Sequence, residues 1–235
     1  MTKMSTISSK IFWIIALVLF ALSAAFDALG GIGTVCAAFF PEKYPPLWPI
    51  VPYKLVYQIF MFVTIALGII GVWVTLALIR GDRKAYKKAL ILLLVDFIFG
   101  GIRVFTSLAI RGKAAPTNIN WYLHILTLGV FLLFLLPGLR NRAGFPGPEN
   151  SKTKGVGASL ASLVCGVMLA TSPMWVAPSH SYQGVNWADV LRLPLTLIGS
   201  ILILGGLAGM FLTVFLCSRP ENREDAKQLQ LQVGS

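Results

Sequence analysis

The run Ala89-Leu90-Ile91-Leu92-Leu93-Leu94-Val95 decides the fold of this chain. A strand of a membrane barrel alternates apolar with polar residues, and this run does not. The apolar stretch continues through residues 89–110, and about 20 apolar residues in a helix cross the ~30 Å hydrocarbon core of a bilayer. Because hydrocarbon offers no partner for free backbone N–H and C=O groups, this stretch is predicted to be a transmembrane α-helix.

Five further apolar stretches qualify, or nearly so, as spans. They cover roughly residues 11–32, 55–79, 121–139, 156–174 and 193–217. The composition agrees, since 56% of the residues are hydrophobic and 12% are charged, too few charges for the surface of a soluble domain. The sequence therefore predicts an all-α, polytopic integral membrane bundle of about six transmembrane helices.

The distribution of basic residues predicts the orientation of the bundle. Of the 20 Lys and Arg residues, 14 fall in four segments on one side: residues 1–10, 80–88, 139–155 and those after 217. Five fall on the other side, and Arg103 lies inside the third span. Cytoplasmic loops carry the Lys/Arg excess, so both termini are predicted to be cytoplasmic, most simply at the plasma membrane. The net charge of +11 thus indicates topology, with some attraction of residues 80–88 to anionic lipid, and not a nucleic-acid partner.

The chain divides into four parts by composition. Residues 1–140 hold helices 1–4, residues 141–155 form a flexible cytoplasmic loop, residues 156–218 hold helices 5–6, and residues 219–235 form a polar cytoplasmic tail. The first span also resembles a signal peptide, and cleavage would leave five spans; its long apolar continuation favours retention. The three cysteines, Cys36, Cys165 and Cys217, are predicted at different depths and indicate no disulfide.

A faint internal repeat links the second and last spans. Gly68, Gly71 and Thr75 have the same spacing as a second set in the last span, which consists of Gly206, Gly209 and Thr213. Parallel repeats occur in transporters, but packing of helices in lipid selects small residues at such spacings without any repeat. Common packing demands are the preferred explanation.

Ionisable residues inside spans are the strongest functional signal, because each is costly unless paired or hydrated. Four such residues are Asp27, Asp96, Arg103 and His124. Asp96 and Arg103 share one helix face about 10 Å apart, and the glycines at 100 and 101 would let another backbone approach. By depth, Asp27 is expected to pair with Arg103, with His124 nearby. A fifth polar residue, Gln58, completes the predicted ligand- or ion-binding set in the outer half of the bundle, with Tyr57 beside it. A structural network that fixes helix register is the equally weighted alternative.

The sequence assigns no catalytic residue, metal ligand or cofactor. It holds no HExxH, paired CxxC, phosphate-binding glycine loop or Gly-x-Ser-x-Gly elbow. The leading hypothesis is a small-solute or proton-coupled transporter that uses the outer polar set. The alternatives are a ligand- or lipid-binding accessory subunit of a membrane complex, and a membrane enzyme acting on a lipid-like substrate. The expected partners are the lipid bilayer and either a second copy of the chain or a larger membrane complex.

Overall fold

A computed structural model describes residues 2–114, 117–136, 151–182 and 184–215. Their main elements are α-helices, with three 3-10 helices (Pro41–Lys43, Pro45–Tyr53 and Trp187–Leu191) and a two-residue antiparallel hairpin, Ser181–Tyr182 with Val185–Asn186. The α-helices are α1 (Thr2–Gly33), α2 (Val35–Phe39), α3 (Lys54–Arg80), α4 (Ala85–Arg111), α5 (Thr117–Leu133), α6 (Ser151–His180) and α7 (Arg192–Phe215).

The described helices form an all-α membrane bundle, as the sequence predicts. Five segments are long and apolar enough to cross a membrane: Lys10–Phe39, Pro45–Arg80, Ala85–Arg111, Ser151–Val176 and Asp189–Phe215. The remaining predicted span corresponds to a shorter apolar helix, Asn118–Leu133. Its predicted end at residue 139 is too late, because α5 ends at Leu133 and a turn follows, while residues 137–139 lie outside the described ranges. At 17 residues α5 is about 25 Å long, somewhat less than the hydrocarbon core.

Helix α1 occupies the centre of the bundle and packs against α3, α5 and α6. Its approach to α3 is close enough to require glycine. A Cβ added to Gly68 would lie 2.7 Å from the backbone N of Ala28, and one added to Gly71 would lie 2.6 Å from the Cβ of Ala24. These small residues let the two backbones meet, which is how helices gain van der Waals contact in lipid.

Helix α7 packs mainly against α6, and these two helices share the most extensive interface among the described helices. A Cβ on Gly206 would lie 2.8 Å from the carbonyl O of Ser159, and one on Gly209 would lie 2.7 Å from the Ser159 Oγ. Only 11% of the most apolar window of α7 is buried, so most of this helix faces outward. The two glycine sets of the faint repeat therefore both serve helix packing, each against a different partner.

The bundle has an inner end, where Gly81 turns α3 into α4, and an outer end, which carries the 3-10 helix Pro45–Tyr53. Gly81 has φ 78°, a left-handed conformation that ends α3 at little steric cost. The assignment of these ends to the cytoplasm and the exterior remains a prediction from the charge distribution. The largest apolar cluster lies in the inner half; its buried members include Trp13, Leu17, Phe20, Leu78, Leu93 and Phe131. A smaller cluster around Ile50, Tyr57 and Phe60 lies at the outer end.

Some predictions fall on residues beyond the described ranges. These are the tail 219–235, Cys217 and the part of the predicted loop 141–155 that precedes Ser151. Residues 151–155 are not a loop, because α6 already begins at Ser151. Cys36 and Cys165 are both free thiols, and Cys165 is buried.

Candidate functional site

Three helices bring four of the five predicted residues together between the outer apolar cluster and the inner one. Asp27 comes from α1, Asp96 and Arg103 come from α4, and His124 comes from α5. All four side chains are buried, with exposed fractions of 2–6%. Burial at this level of groups that carry charge requires partners within the protein.

Asp27 is held by two residues of α5 that lie one turn apart. Its Oδ1 accepts a hydrogen bond from the Asn120 Nδ2 at 2.9 Å, and the His124 Nε2 lies 3.3 Å from the same oxygen. The His124 Nε2 also lies 2.8 Å from the Asn120 Oδ1. Because both neighbours of Nε2 are acceptor oxygens, this nitrogen carries a hydrogen and donates it. The remaining nitrogen, Nδ1, is then the position at which His124 gains or loses a proton.

Asp96 faces that second nitrogen without bonding to it. The His124 Nδ1 lies 3.8 Å from the Asp96 Oδ2, too far for a hydrogen bond. The His124 Nδ1 and the Asp96 Oδ1 are both buried, and neither has a hydrogen-bond partner among the residues that the structure describes. Unpartnered buried polar atoms are rare and costly, so two of them side by side mark a place where a proton or a water molecule belongs.

Arg103 lies seven residues after Asp96 on α4, nearly two turns closer to the outer end. Its Nη2 donates to the Thr34 hydroxyl at 3.4 Å, and Thr34 in turn donates to the carbonyl O of Gly30 at 2.6 Å. The expected direct pair of Asp27 with Arg103 is wrong: among the described residues, the ion pair of Asp27 within 4 Å is with His124. Arg103 still lines the same cavity as both carboxylates, so its positive charge acts on them across that space.

A cavity of about 10 Å³ lies at the centre of this group. Its lining residues are Asp27, Leu67, Asp96, Phe99, Gly100, Arg103, Asn120, Trp121 and His124. Roughly 10–15 Å³ is the space that one water molecule needs, and such a water needs two to four polar partners. The cavity therefore suits a single water molecule or an ion and is too small for an organic solute in this conformation.

Gln58, the fifth predicted residue, does not line the cavity. Its Nε2 donates to the carbonyl O of Ala38 at 3.1 Å, which ties the start of α3 to α2 at the outer end. Tyr57 is buried, and its hydroxyl lies 3.4 Å from the Ser107 Oγ on α4. Gln58 was predicted to belong to the polar site because of its height along the helix axis. Its side chain points to Ala38 instead of the cavity.

Two residues of the site were missed by sequence reasoning. Asn120 bridges Asp27 and His124, and the four-residue spacing from Asn120 to His124 could have shown that they share a face of α5. Trp121 covers the cavity: its Nε1 donates to the carbonyl O of Phe97 at 2.9 Å. A Cβ on Gly100 would lie 2.9 Å from the indole of Trp121. Gly100 of α4 thus admits an indole ring, whereas a second backbone was expected there.

A further polar contact lies one helical turn closer to the inner end. The Ser23 Oγ and the Thr127 Oγ1 lie 3.0 Å apart, on the same helices that carry Asp27 and His124. Both hydroxyl groups also lie near backbone carbonyls of their own helices, at 3.0 Å from Leu19 O and 2.8 Å from Leu123 O. Beyond this pair the helices α1 and α5 are joined by Phe20 and Phe131, so the polar part of the interface ends there.

The geometry also bears on metal binding. Asp27, Asp96 and His124 offer three ligand atoms that lie within 4.8 Å of one another. Catalytic zinc sites, which keep one coordination position open, also have three protein ligands. Arg103 lines the same cavity, however, and its fixed positive charge opposes a divalent cation. We therefore assign no metal to this group.

Comparison with known proteins adds no family. Neither the protein-family models, nor the curated proteins, nor the solved structures include a match to this chain. Function must accordingly be argued from the site itself.

Proposed function

We propose that this membrane protein is a proton-coupled transporter, and that Asp27, Asp96, Arg103 and His124 form its proton-binding site. One observation carries the proposal. The His124 Nδ1 and the Asp96 Oδ1 are buried, have no hydrogen-bond partner within the described part of the chain, and belong to residues that line a cavity of water size. A water molecule between them would satisfy both, and a proton on either atom would make that atom a donor to such a water.

Charge balance supports a single exchangeable proton. With both carboxylates ionised, Arg103 cancels one negative charge and leaves one uncompensated in a buried site. A proton held by His124 or Asp96 makes the group neutral. Buried charge is tolerated only when paired, so the proton-loaded form is the natural resting form and the unloaded form favours a change of conformation or entry of water. Proton relays in membrane transporters are built from Asp, Glu and His for this reason.

The closed inner half fits a carrier better than an open channel. The inner apolar cluster around Phe20 and Phe131 fills the bundle toward the inner end. A proton bound at the outer polar group would therefore need a rearrangement of the helices before it could leave at the inner end, as alternating access requires. The identity of the coupled solute is not assigned.

The proposal is tested by a pH jump on the full chain reconstituted in liposomes on a solid-supported membrane. Proton binding within the membrane displaces charge, so the wild-type protein is expected to give a transient current that Asp96→Asn abolishes. Asp189→Asn makes the same chemical change at an exposed position in the 3-10 helix Trp187–Leu191 and should leave the current intact. An Asp96→Asn protein that is folded and gives the full wild-type current would refute the proton site.

A second candidate function, a ligand-binding accessory subunit, is favoured by a separate observation. A groove of about 480 Å³ lies between α4 and α5. It is lined by Phe97, Ile98, Gly101, Ile102, Phe105, Thr106 and Trp121. This volume is in the range of small-molecule sites, and the lining is almost entirely apolar. Native mass spectrometry in mild detergent distinguishes the two candidates, because an accessory subunit would retain a defined lipid-soluble molecule and a bare carrier would not.

A further inference from the structure

Basic residues of three helices lie at the inner end of the bundle. The Lys154 Nζ near the start of α6 donates to the backbone carbonyl O of Arg80 at the end of α3, at 3.5 Å. The turn into α4 and its first helical turn add further basic residues. We define the inner basic cluster as Arg80, Arg83, Lys84, Lys87 and Lys154; all but Lys154, which is half-buried, are exposed.

The nearby acid is already occupied. The Asp82 Oδ1 accepts from the backbone N of Lys84 and its Oδ2 accepts from the Lys88 Nζ, both at 2.9 Å. The hydrogen bond from the Lys84 backbone N and the one from Lys88 hold the pKa of Asp82 below its ordinary value, so this carboxylate stays ionised and committed. Across the described part of the chain, no side chain of the inner basic cluster lies within 4 Å of a carboxylate oxygen. Within the described ranges no carboxylate takes up its positive charge, which leaves it available to an external anion.

The position of the cluster favours a lipid headgroup over a soluble anion. The cluster lies at the ends of three apolar helices that are long enough to cross a membrane. Just above it, the Lys88 Nζ lies 4.4 Å from the centroid of the Trp73 ring, and Trp73 is 54% exposed. Aromatic side chains with exposed rings collect at the level of the headgroups, which places the basic side chains where lipid phosphates lie.

We infer that the inner basic cluster binds the phosphate headgroup of an anionic phospholipid in the leaflet that contacts this end of the protein. Arg80 ends α3, Lys84 precedes α4, and Lys154 lies in the first turn of α6, so the cluster combines positive charge from three helix ends. The inference is independent of the proton site, because it uses no residue of the outer half.

The experiment measures retained lipid by native mass spectrometry of the full chain in mild detergent. The probes are phosphatidylglycerol and phosphatidylcholine with identical acyl chains. We expect the wild-type protein to retain phosphatidylglycerol about tenfold more than phosphatidylcholine, since each basic residue near a membrane surface attracts anionic lipid measurably. The triple variant Arg83→Gln, Lys84→Gln, Lys87→Gln is expected to lose most of this preference.

A matched triple variant at the outer end provides the control. Lys43→Gln, Arg111→Gln and Lys113→Gln remove the same number of positive charges, and this protein should keep the wild-type preference. Equal loss in both triple variants, or no loss in the inner one, would overturn the inference. Displacement of phosphatidylglycerol by inorganic phosphate at equal concentration would also overturn it, because the site would then bind a soluble anion and not a lipid.

Discussion

The outer half of helices α1, α4 and α5 buries two carboxylates, a guanidinium and an imidazole, whereas the inner half of the same helices buries an aromatic cluster. In the inner half, Phe131 packs against Phe20, Tyr86 and Phe134, and the Tyr86 hydroxyl donates to the Phe131 carbonyl O at 2.6 Å. In the outer half, the His124 Nδ1 and the Asp96 Oδ1 lie beside a cavity and have no partner in the described ranges. The helices of the inner half are thus held together by the packing of apolar side chains, and those of the outer half by the balance of positive and negative charges.

Because of this difference, substitutions in the two halves should affect stability and activity differently. Loss of packing in the inner half should weaken the fold without changing the charge of the outer group. Loss of a charge in the outer half should affect both, because the remaining charges stay buried without compensation. Three substitutions test this separation, and they are taken in order of expected effect.

The largest effect is expected for Arg103→Leu. Removal of the guanidinium leaves the carboxylates of Asp27 and Asp96 facing each other across the cavity, and breaking a buried charge network typically costs about 3–5 kcal/mol. Unfolding in increasing concentrations of a denaturing detergent measures the loss of stability. Arg111→Leu at the end of the same helix is the matched control. Adding Asp27→Asn should recover part of the stability by restoring charge balance. A single variant as stable as the wild type would show that the outer half does not depend on charge balance.

An intermediate effect is expected for Phe131→Ala in the inner half. Phe131 is fully buried, and removal of a buried phenylalanine ring costs about 3 kcal/mol. Phe215→Ala removes the same ring from an exposed position on α7 and should cost far less. The folded fraction of Phe131→Ala should still give the pH-jump current. Disappearance of that current from folded protein would mean that the inner cluster takes part in proton binding, and the comparison of the halves would fail.

The smallest effect is expected where the two halves meet, at Ser23 and Thr127. Their hydroxyl contact of 3.0 Å should contribute about 0.6 kcal/mol, the usual value for a hydrogen bond between membrane helices. A double-mutant cycle with Ser23→Ala and Thr127→Ala measures this coupling directly. Strictly additive single effects would show that each hydroxyl is satisfied by its own helix and that the polar part of the interface ends at Asp27.

Much of this architecture follows from the sequence because lipid restricts the chain so strongly. Length and apolar composition alone predict the helical bundle, and the cost of buried charge selects Asp27, Asp96, Arg103 and His124. The depth of a residue in the membrane does not show how its helix is rotated relative to the neighbouring helices. For that reason His124 replaces Arg103 as the close partner of Asp27, and Gln58 turns away to Ala38. The end of α5 was also misplaced, since apolar residues continue after the helix stops at Leu133.

The packing of α6 against α1 has a consequence for biosynthesis. Gly157 of α6 lies so close to Trp13 that an added Cβ would stand 2.5 Å from the indole, and Ala21 of α1 shares a buried cluster with Ala161 of α6. Because ribosomes make the chain from its N-terminus, this side of α1 enters the bilayer long before its partner has been synthesised. Lipid must cover it in the meantime. Assembly of the bundle therefore includes an exchange of lipid for protein along α1, made when α6 and α7 are inserted.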